Sequence, residues 1–244
     1  MRLDLYLAAV GLARSRTEAA DLIAEGAVSV CGTVRKKPSF VVDDDLSTES
    51  VVICREAHPF VSRGGEKLAA ALSAFSLSPA GRVAIDIGAS SGGFTDCLLQ
   101  NGAEAVFAVD VGEGQLVQSL REDPRVFSFE HYNARFLKQS DFPRIPQFAV
   151  MDVSFISQTL ILPALAALLP SGAPYIGLVK PQFEVGREGV CKGGIVKDDR
   201  LRREAVARVV ASAASLGLSH VGTIESPILG KDGNREFLCA FIKE

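Results

Sequence analysis

The stretch VAIDIGASSGGFTDCLLQNG, residues 83–102, decides the fold of this chain. It opens as an apolar strand that carries one acid, Asp86, and it closes as a helix. Between the two lies a glycine-rich turn, residues 88–93, where the backbone can take positive φ and a ligand can approach without meeting a Cβ atom. A strand, a glycine turn and a helix N-terminus in this order predict a pocket for a nucleotide-like ligand.

A second acid supports this interpretation. The next apolar segment, residues 105–109, predicts a strand that ends in Asp110. A carboxylate at this point can accept hydrogen bonds from ribose hydroxyls. The spacing is not the dinucleotide pattern G-x-G-x-x-G, because Ser90 stands where its second glycine would be. An acid inside the first strand and a looser glycine turn are similar to the S-adenosylmethionine pocket of class I methyltransferases.

The same turn fits two other interpretations. Residues 88–92 match G-x-S-x-G, the nucleophile elbow of α/β-hydrolases, with Ser90 as nucleophile and His131 or His220 as base. Against this, the sequence has no HGGG-type oxyanion segment, and Ser90 follows the first clear strand of its domain, which is too early for that fold. The remaining alternative is a tight turn in an α/β sheet that binds nothing.

The composition narrows the class of protein. A chain of 244 residues with 48% hydrophobic and 23% charged residues can bury a substantial core. No apolar run is long enough to span a bilayer. The cysteines are scattered without a C-x-x-C motif, which predicts reduced thiols in a cytoplasmic protein, and the histidines do not cluster, so no metal site is expected. The net charge of −3 means that RNA binding would depend on local basic clusters.

Residues 1–56 predict a small α+β domain. A short N-terminal helix precedes a second helix over residues 16–25, with Ser15 and Glu18 as a capping box and Gly26 at its end. Residues 27–30 alternate as a strand, residues 31–33 form a turn, and residues 51–53 form a further strand. The segments RLDLYL, SRTEAADLI and GAVSVCGTVRKKP resemble the alpha-L RNA-binding motif, which a small-subunit ribosomal protein shares with pseudouridine synthases.

This resemblance implies contacts with RNA phosphates, because in that family the second helix and the turn after it lie against RNA. The implied contacts, with one from the start of the second domain, are Arg2, Arg14, Arg16, Arg35, Lys36, Lys37 and Arg63. Each cation that neutralises a phosphate releases counterions, so binding should weaken with salt. The alternative is a solvated charged face on a small helix pair, and residues 43–45 are all acidic.

Residues 57–62 read as a linker, and residues 63–244 predict an α/β domain. A helix with one apolar face begins near residue 63, and strands and helices then alternate from residue 82 onward. This alternation predicts a mostly parallel sheet that is covered by helices on both faces. Strands 218–225 and 236–242 have no helix between them, so the last strand is expected to pair antiparallel.

Four ionisable residues fall where function collects in such a sheet, at the carboxyl ends of its strands. Asp152 and Lys180 end two predicted strands, and Glu236 begins the antiparallel last strand at the same edge. Lys67 lies on the helix before the first strand. A lysine at the end of an apolar strand needs a carboxylate partner if it is buried. A network that only closes the sheet edge remains possible, but four convergent groups beside the glycine turn favour catalysis.

The arrangement Lys67–Asp152–Lys180–Glu236 resembles the Lys-Asp-Lys-Glu tetrad of FtsJ-like ribose 2′-O-methyltransferases. With the N-terminal domain, the chain from residue 2 to its end resembles the TlyA family, often labelled hemolysin A. The segments that carry this are SRGGEKL, DIGASSGGFTD, AVDVG, MDVSFIS, LVKPQFE and GNREF. The resemblance implies a class I (Rossmann-like) methyltransferase fold and 2′-O-methylation of a cytidine in ribosomal RNA, within a ribosomal subunit. The tight ends of the chain favour the shorter type that acts on 23S RNA, with 16S RNA as the other possibility.

The resemblance and the turn together assign a cofactor site for S-adenosylmethionine. The turn would hold the methionine end, Asp110 the ribose and Asn133 the adenine, while Asp152 would serve both cofactor and chemistry. The full set is Asp86, Gly88, Ala89, Ser90, Gly92, Gly93, Phe94, Asp110, Asn133 and Asp152.

Lys180 has two possible roles in methyl transfer, since a ribose 2′-hydroxyl must lose its proton as it attacks. It is a general base if desolvation or Lys67 favours its neutral form, or an orienting cation if the nearby carboxylates favour its charged form. Two further functions stay open, a non-catalytic RNA-binding or ribosome assembly factor and a membrane-lytic hemolysin. The latter has no spanning segment or strongly amphipathic cationic helix in its favour.

Overall fold

The computed structural model describes residues 1–13, 16–24, 26–43, 45–53, 59–191, 193–230 and 233–244, without the side chains of residues 17, 18, 21 and 187. The predicted contact of Arg14 and the capping box of Ser15 and Glu18 lie outside the described residues. Two compact units make up the chain, Met1–His58 and Pro59–Glu244. This division falls inside the segment 57–62, and the domain limits themselves stay a prediction.

The first unit packs two helices on a small antiparallel sheet. Its elements are α1 (Leu3–Ala9), α2 (Arg16–Ala24), β1 (Val28–Val30), β2 (Thr33–Arg35) and β3 (Val51–Ile53). The strand order is β2-β1-β3, and apolar side chains of α1 and α2, such as Leu7 and Ile23, fill the core. The sequence analysis missed β2. Cys31 and Gly32 both have positive φ, so the expected turn is a two-residue hairpin that returns the chain alongside β1.

The second unit is a layered α/β domain. Its helices are α3 (Gly64–Phe75), α4 (Gly93–Gln100), α5 (Gln118–Arg121), α6 (Leu162–Leu168), α7 (Pro181–Glu184) and α8 (Asp199–Ala214). Its strands are β4 (Val83–Ile87), β5 (Ala105–Val109), β6 (Val126–Phe129), β7 (Phe148–Met151), β8 (Pro174–Val179), β9 (Leu218–Glu225) and β10 (Phe237–Lys243).

The order of these strands is β6-β5-β4-β7-β8-β10-β9, and β10 is antiparallel to both of its neighbours while the other pairs are parallel. The central strands are buried along their whole length, which their continuous apolar sequence requires in a sheet with two covered faces. One core includes Leu68 of α3 and Leu98 of α4, and the other includes Leu165 of α6 and Val209 of α8. This confirms the fold class predicted from the sequence.

Some element limits differ from the predicted ones. The helix expected over residues 158–168 is a 3-10 turn over Gln158–Leu160 followed by α6, whose first turn contains a proline. Glu236 precedes β10 instead of beginning it, although its carbonyl still accepts a hydrogen bond from the Ser226 N–H at 2.8 Å. In the part of the chain that the structure describes, every helix is too short or too polar to cross a bilayer.

Candidate active site

The glycine turn after β4 is packed so closely that side chains would not fit. Gly88 has φ +85°, and a Cβ atom there would lie 2.3 Å from the carbonyl oxygen of Asp152. At Gly92, the residue before α4, φ is +99° and a Cβ atom would lie 2.3 Å from a methyl carbon of Leu120. The sequence therefore uses glycine here because neighbouring atoms and the left-handed backbone both exclude larger residues.

Asp110 ties this turn to the loop after β5. Its Oδ2 accepts the Ser90 N–H and its Oδ1 accepts the Gly112 N–H, both at 2.8 Å. Each carboxylate oxygen keeps a lone pair for a further donor, such as a ribose hydroxyl. A small cavity beside this carboxylate is also lined by Ala89 and Gln115.

Asp86 is a fully buried carboxylate beneath the turn. Its Oδ2 accepts a hydrogen bond from the Thr95 hydroxyl at 2.7 Å, whereas its Oδ1 has no hydrogen-bond partner among the described residues. Burial raises the pKa of Asp86 to about 7, and the nearby Asp152 adds to that shift. Buried carboxylates with a perturbed pKa and an unpaired oxygen occur preferentially at functional sites.

Two predicted cofactor contacts stand apart from this cavity. The Asn133 Oδ1 accepts the Arg135 N–H at 3.1 Å and caps a 3-10 turn, and Asn133 lines a separate surface depression with Phe136 and Lys138. Phe94 is buried, with its ring 3.6 Å from where a Cβ atom of Gly64 would lie. The roles of Asn133 and Phe94 toward a cofactor stay predictions.

The first pair of predicted catalytic residues is a buried ion pair. Lys67 Nζ, on α3, lies 2.5 Å from Glu236 Oε2, and both side chains are almost fully buried. Gly230 packs against this carboxylate, because a Cβ atom at Gly230 would lie 2.3 Å from Glu236 Oε1. Two opposite charges removed from water are tolerated only as a close pair, so each residue fixes the other.

The second pair is more accessible. Lys180 Nζ lies 2.5 Å from Asp152 Oδ1 and donates a hydrogen bond to the Ser154 hydroxyl at 2.9 Å. The Asp152 Oδ1 has no hydrogen-bond partner of good geometry among the described residues, so its contact with Lys180 is an ion pair. The Asp152 N–H donates to the carbonyl of Ile87 at 2.9 Å, which joins this pair to the start of the glycine turn.

Strand register places both pairs at one edge of the sheet. Ile87 of β4 pairs with Met151 of β7, so the residues that follow them, Gly88 and Asp152, lie side by side. Val179 of β8 pairs with Phe237 of β10, so Lys180 and Glu236 lie side by side just beyond these strands. Asp152 and Lys180 therefore follow the ends of β7 and β8, Glu236 precedes β10 at the same edge, and Lys67 reaches Glu236 from α3. The structure pairs Lys180 with Asp152 and Lys67 with Glu236, and the catalytic roles of these four residues stay predictions.

An aromatic pair beside this edge, with one exposed and one half-buried ring, was not predicted from the sequence. Phe155 is 92% exposed, has φ +65° and lies 5.2 Å from the ring of Phe183, centroid to centroid. A bulky residue in the left-handed region is strained, and such strain concentrates at functional sites. Their spacing in the sequence could have indicated this pair. Phe155 follows Asp152 by three positions, and Phe183 follows Lys180 by three positions.

The first unit holds a separate cluster around Asp4, which the sequence analysis also missed. This buried carboxylate lies 2.9 Å from Arg2 Nε and 3.0 Å from Arg16 Nε. The hydrogen bonds from Arg2, with those from Arg16, lower the pKa of Asp4 to about 2. Arg2 and Arg16 remain 43% and 57% exposed, so their free N–H groups can still reach a phosphate.

The other predicted RNA contacts differ in exposure. Arg35 is half-buried with its guanidinium 4.1 Å from the centre of the Phe40 ring, whereas Lys36 and Lys37 are exposed. Arg63 is half-buried directly before α3.

The geometry does not assemble a serine hydrolase site. The Ser90 hydroxyl donates to Gln115 Oε1 at 3.1 Å. His131 Nε2 lies 3.4 Å from a Glu113 carboxylate oxygen, and His220 Nε2 contacts the Thr223 hydroxyl at 2.9 Å on the outermost strand β9. Labelling of Ser90 by a fluorophosphonate probe would be needed to restore that interpretation.

Comparisons with known proteins fit this geometry. The FtsJ-like methyltransferase family model matches residues 60–243, and the S4 domain model matches residues 1–46. The chain is 45% identical to the 16S/23S rRNA (cytidine-2′-O)-methyltransferase TlyA of Mycobacterium tuberculosis, over 97% of this chain and 87% of that protein. It is 42% identical to Hemolysin A of Brachyspira hyodysenteriae, over 99% of this chain and 100% of that protein.

A solved structure of a hemolysin-named protein from Streptococcus thermophilus superposes with a TM-score of 0.80 at 45% identity, and the match covers 100% of this chain and 88% of that one. Both family matches occupy the parts of the chain where the resemblances were found. The chain therefore belongs to the FtsJ-like methyltransferase family, and within it to the TlyA proteins that carry an N-terminal S4 domain.

Proposed function

We propose that this chain transfers a methyl group from S-adenosylmethionine to the 2′-hydroxyl of a cytidine ribose in ribosomal RNA. The observation that carries the proposal is the pairing of Lys180 with Asp152 and of Lys67 with Glu236 at the sheet edge beside the glycine turn. The M. tuberculosis relative is named for the same reaction on 16S and 23S RNA, and the proposal covers both. Ribosomal subunits are the substrate and the cytoplasm is the compartment that this function implies.

The residues around the turn suit this cofactor. S-adenosylmethionine carries a sulfonium and an ammonium, and supplies a methyl carbon that is open to attack. The Asp110 carboxylate lies at the turn and can accept further hydrogen bonds from such a ligand, whereas Asp152 is already paired with Lys180. Gly88 and Gly92 let the turn pack against Asp152 and Leu120, which fixes the backbone that would border the ligand.

The accessible ion pair supplies the chemistry at the 2′ oxygen. That oxygen gains the methyl group and loses its proton, and it is a poor nucleophile until negative charge develops on it. As the oxygen–carbon bond forms, the carbon–sulfur bond of the donor would break and S-adenosylhomocysteine would leave. A neutral Lys180 would accept the proton, whereas a charged Lys180 would hold the oxygen in line and stabilise the developing charge while the proton passes to water. The 2.5 Å contact with Asp152 holds the Lys180 side chain in place at this edge, which supports the second role.

The other residues position this lysine and the RNA. Lys67 and Glu236 are buried as a pair, so they fix the edge of the sheet next to Lys180 and keep its surroundings constant. In the S4 domain, Asp4 holds Arg2 and Arg16 with exposed N–H groups that fit phosphate oxygens.

The test uses labelled S-adenosylmethionine, purified protein and separated ribosomal subunits. We expect the wild-type protein to label RNA in at least one subunit, and Lys180→Ala to lower the transfer rate by at least about 100-fold, since it removes the group that stabilises the 2′ oxygen. Calorimetry should give nearly unchanged cofactor and RNA affinities for the variant. Lys243→Ala, at the opposite end of β10, is the matched control and should transfer at the wild-type rate.

Two results would contradict the proposal. Wild-type protein that binds no S-adenosylmethionine in the presence of RNA would remove the cofactor from the account. A Lys180→Ala variant that keeps full methyl transfer would contradict the proposed role of Lys180. A variant that loses methyl transfer but keeps its function on RNA would favour a non-catalytic assembly factor. Lysis of lipid vesicles by the purified protein would instead favour a membrane-lytic activity, which is what the word hemolysin in the relatives' names denotes.

A further inference from the structure

The turn formed by residues 154–157, which we call the 154–157 turn, is held in a conformation that its sequence does not favour. Phe155 has φ +65°, where a bulky side chain is disfavoured, and its ring is 92% exposed, so burial of the ring does not offset the strain. Strained backbone persists only where surrounding contacts determine it. The contacts around this turn therefore show what holds it.

Side chains of the segment 180–184 make one hydrogen bond at the start of the turn and two where it ends. Lys180 Nζ donates to the Ser154 hydroxyl at 2.9 Å. The Ser157 hydroxyl donates to Glu184 Oε2 at 2.5 Å, and the Gln158 N–H donates to Glu184 Oε1 at 2.9 Å. The carboxylate of Glu184 thus accepts from two consecutive residues where the turn ends.

Glu184 is also tied to the other side of the site. It ends α7, the short helix that begins directly after Lys180, so one helix carries the catalytic lysine at its start and the anchor of the turn at its end. The carbonyl of Glu184 accepts a hydrogen bond from Arg208 Nη1 at 2.7 Å, which fixes α7 against α8. A shift of Glu184 would therefore move the turn and Lys180 relative to each other.

Beneath the turn, Gln158 leaves little room for such a shift. Its Nε2 donates to the carbonyl of Leu178 at 2.5 Å, and its Oε1 accepts from the Tyr175 hydroxyl at 2.8 Å. A Cβ atom at Gly177 would lie 2.3 Å from that hydroxyl, so this side of the network is closely packed. Gln158 thus keeps the residue after the turn in place, and Glu184 determines the position of the turn relative to it.

We infer that Glu184 is a positioning residue for methyl transfer. It keeps Ser154 and Phe155 at a fixed position relative to Lys180 and does not touch the reacting atoms. This inference rests on the proposed function. The side chain is only 4% exposed, and burial raises the pKa of Glu184 above its usual range. Burial of a carboxylate costs free energy unless hydrogen bonds compensate for it. The two hydrogen bonds that Glu184 accepts from Ser157 and Gln158 provide that compensation and fix the end of the turn.

The kinetic test compares removal of the carboxylate with its conservative replacement. Glu184→Ala loses both hydrogen bonds, and we expect kcat for methyl transfer to fall by about 10- to 100-fold, since small misplacements of reacting groups cost rate. The Kd for S-adenosylmethionine and the KM for the ribosomal subunit should change by less than about threefold, because those contacts lie elsewhere. Glu184→Gln should keep kcat within about threefold, because its amide can accept from Gln158 and donate to Ser157.

Glu188→Ala is the matched control, since it removes an exposed glutamate four residues along the same segment, and it should leave kcat unchanged. A folded Glu184→Ala protein with the wild-type kcat would overturn the inference. So would a Glu184→Gln protein that is as slow as Glu184→Ala, because geometry would then not be the reason. If Glu184→Ala does not fold, Ser157→Ala removes one of the two bonds and should give an intermediate loss.

A second measurement does not depend on methyl transfer. The chain contains no tryptophan, so Phe155→Trp places a single tryptophan on the 154–157 turn, which can be excited at wavelengths that the three tyrosines do not absorb. In this background Glu184→Ala should lower the fluorescence anisotropy, whereas Glu184→Gln should leave it unchanged. Unchanged anisotropy in Glu184→Ala would overturn the inference. If the wild-type protein labels neither subunit, the proposed function fails, while the anisotropy still decides whether Glu184 holds the turn.

Discussion

At the scale of single residues, the protonation of Asp86 couples stability to pH. Its pKa is about 7 in the folded protein and about 3.9 in an unfolded chain, so between these values the folded state holds a proton that the unfolded state has lost. The free energy of unfolding from this group therefore falls as pH rises from about 4 to about 7, and it is constant above that window.

Asp86→Asn should remove this dependence, because an amide keeps the acceptor for Thr95 and cannot ionise. Urea unfolding at about pH 5 and at about pH 8 measures it: the wild type should lose more stability than the variant across that interval, by up to about 3 kcal/mol. Equal changes in both proteins would show that the carboxylate is paired in a way that the structure does not record.

Residues whose role follows from strand ends were predictable, and those whose role follows from packing were not. The antiparallel last strand predicts that Glu236 shares an edge with Asp152 and Lys180, whereas its contact with Lys67, which lies on a helix 169 positions earlier, does not follow from strand ends. Which carboxylate pairs with which lysine required coordinates. Phe155 lies in an apolar segment that predicts burial, and Glu184 is an acid of the kind usually found on the surface. The local sequence therefore predicted neither the exposure of Phe155 nor the burial of Glu184.

At the scale of elements, the glycine turn between β4 and α4 makes a prediction with a matched control. Gly88→Ala meets both a left-handed backbone and a carbonyl oxygen 2.3 Å away, so we expect a loss of about 1–3 kcal/mol of stability and weaker S-adenosylmethionine binding. Gly172→Ala has similar backbone strain at φ +79° with nothing within 4 Å, so it should lose some stability and keep cofactor affinity. Thermal unfolding and calorimetry on both variants compare the two effects.

A Gly88→Ala protein that binds the cofactor as the wild type does would show that the close packing of this turn has no part in the site. The alternation of elements was predictable because continuous apolar runs and glycine turns are local signals. The limits of the helix at residue 158 were not, since the hydrogen bonds of Gln158 to Tyr175 and Leu178 come from a distant strand.

At the scale of the whole molecule, an acidic chain with a net charge of −3 must bind RNA through local cations. We expect Arg2→Ala combined with Arg16→Ala to reduce the slope of log affinity against log salt by about 1–2, because each lost phosphate contact releases fewer counterions. Filter binding with ribosomal RNA over a salt series measures this slope. Arg144→Ala, which removes an exposed arginine paired with Glu104, should leave it unchanged.

An unchanged slope in the double variant would assign RNA binding to other cations, such as Lys36 and Lys37. The two-part organisation and the order of motifs were readable from the sequence, because each domain carries its own set of segments. The organisation of the arginines was not, since it depends on the burial of Asp4 between them.

Alkaline cleavage of the RNA tests most directly whether Lys67, Asp152, Lys180 and Glu236, beside the glycine turn, support methylation of a ribose oxygen. Alkali cuts RNA through attack by the 2′ oxygen, so a methylated 2′ oxygen protects its linkage. After incubation of ribosomal subunits with the protein and S-adenosylmethionine, we predict a new alkali-resistant linkage at a cytidine in at least one subunit, present with the wild type and absent with Lys180→Ala. Methyl label on a base, or no linkage that becomes resistant with the cofactor, would contradict the account.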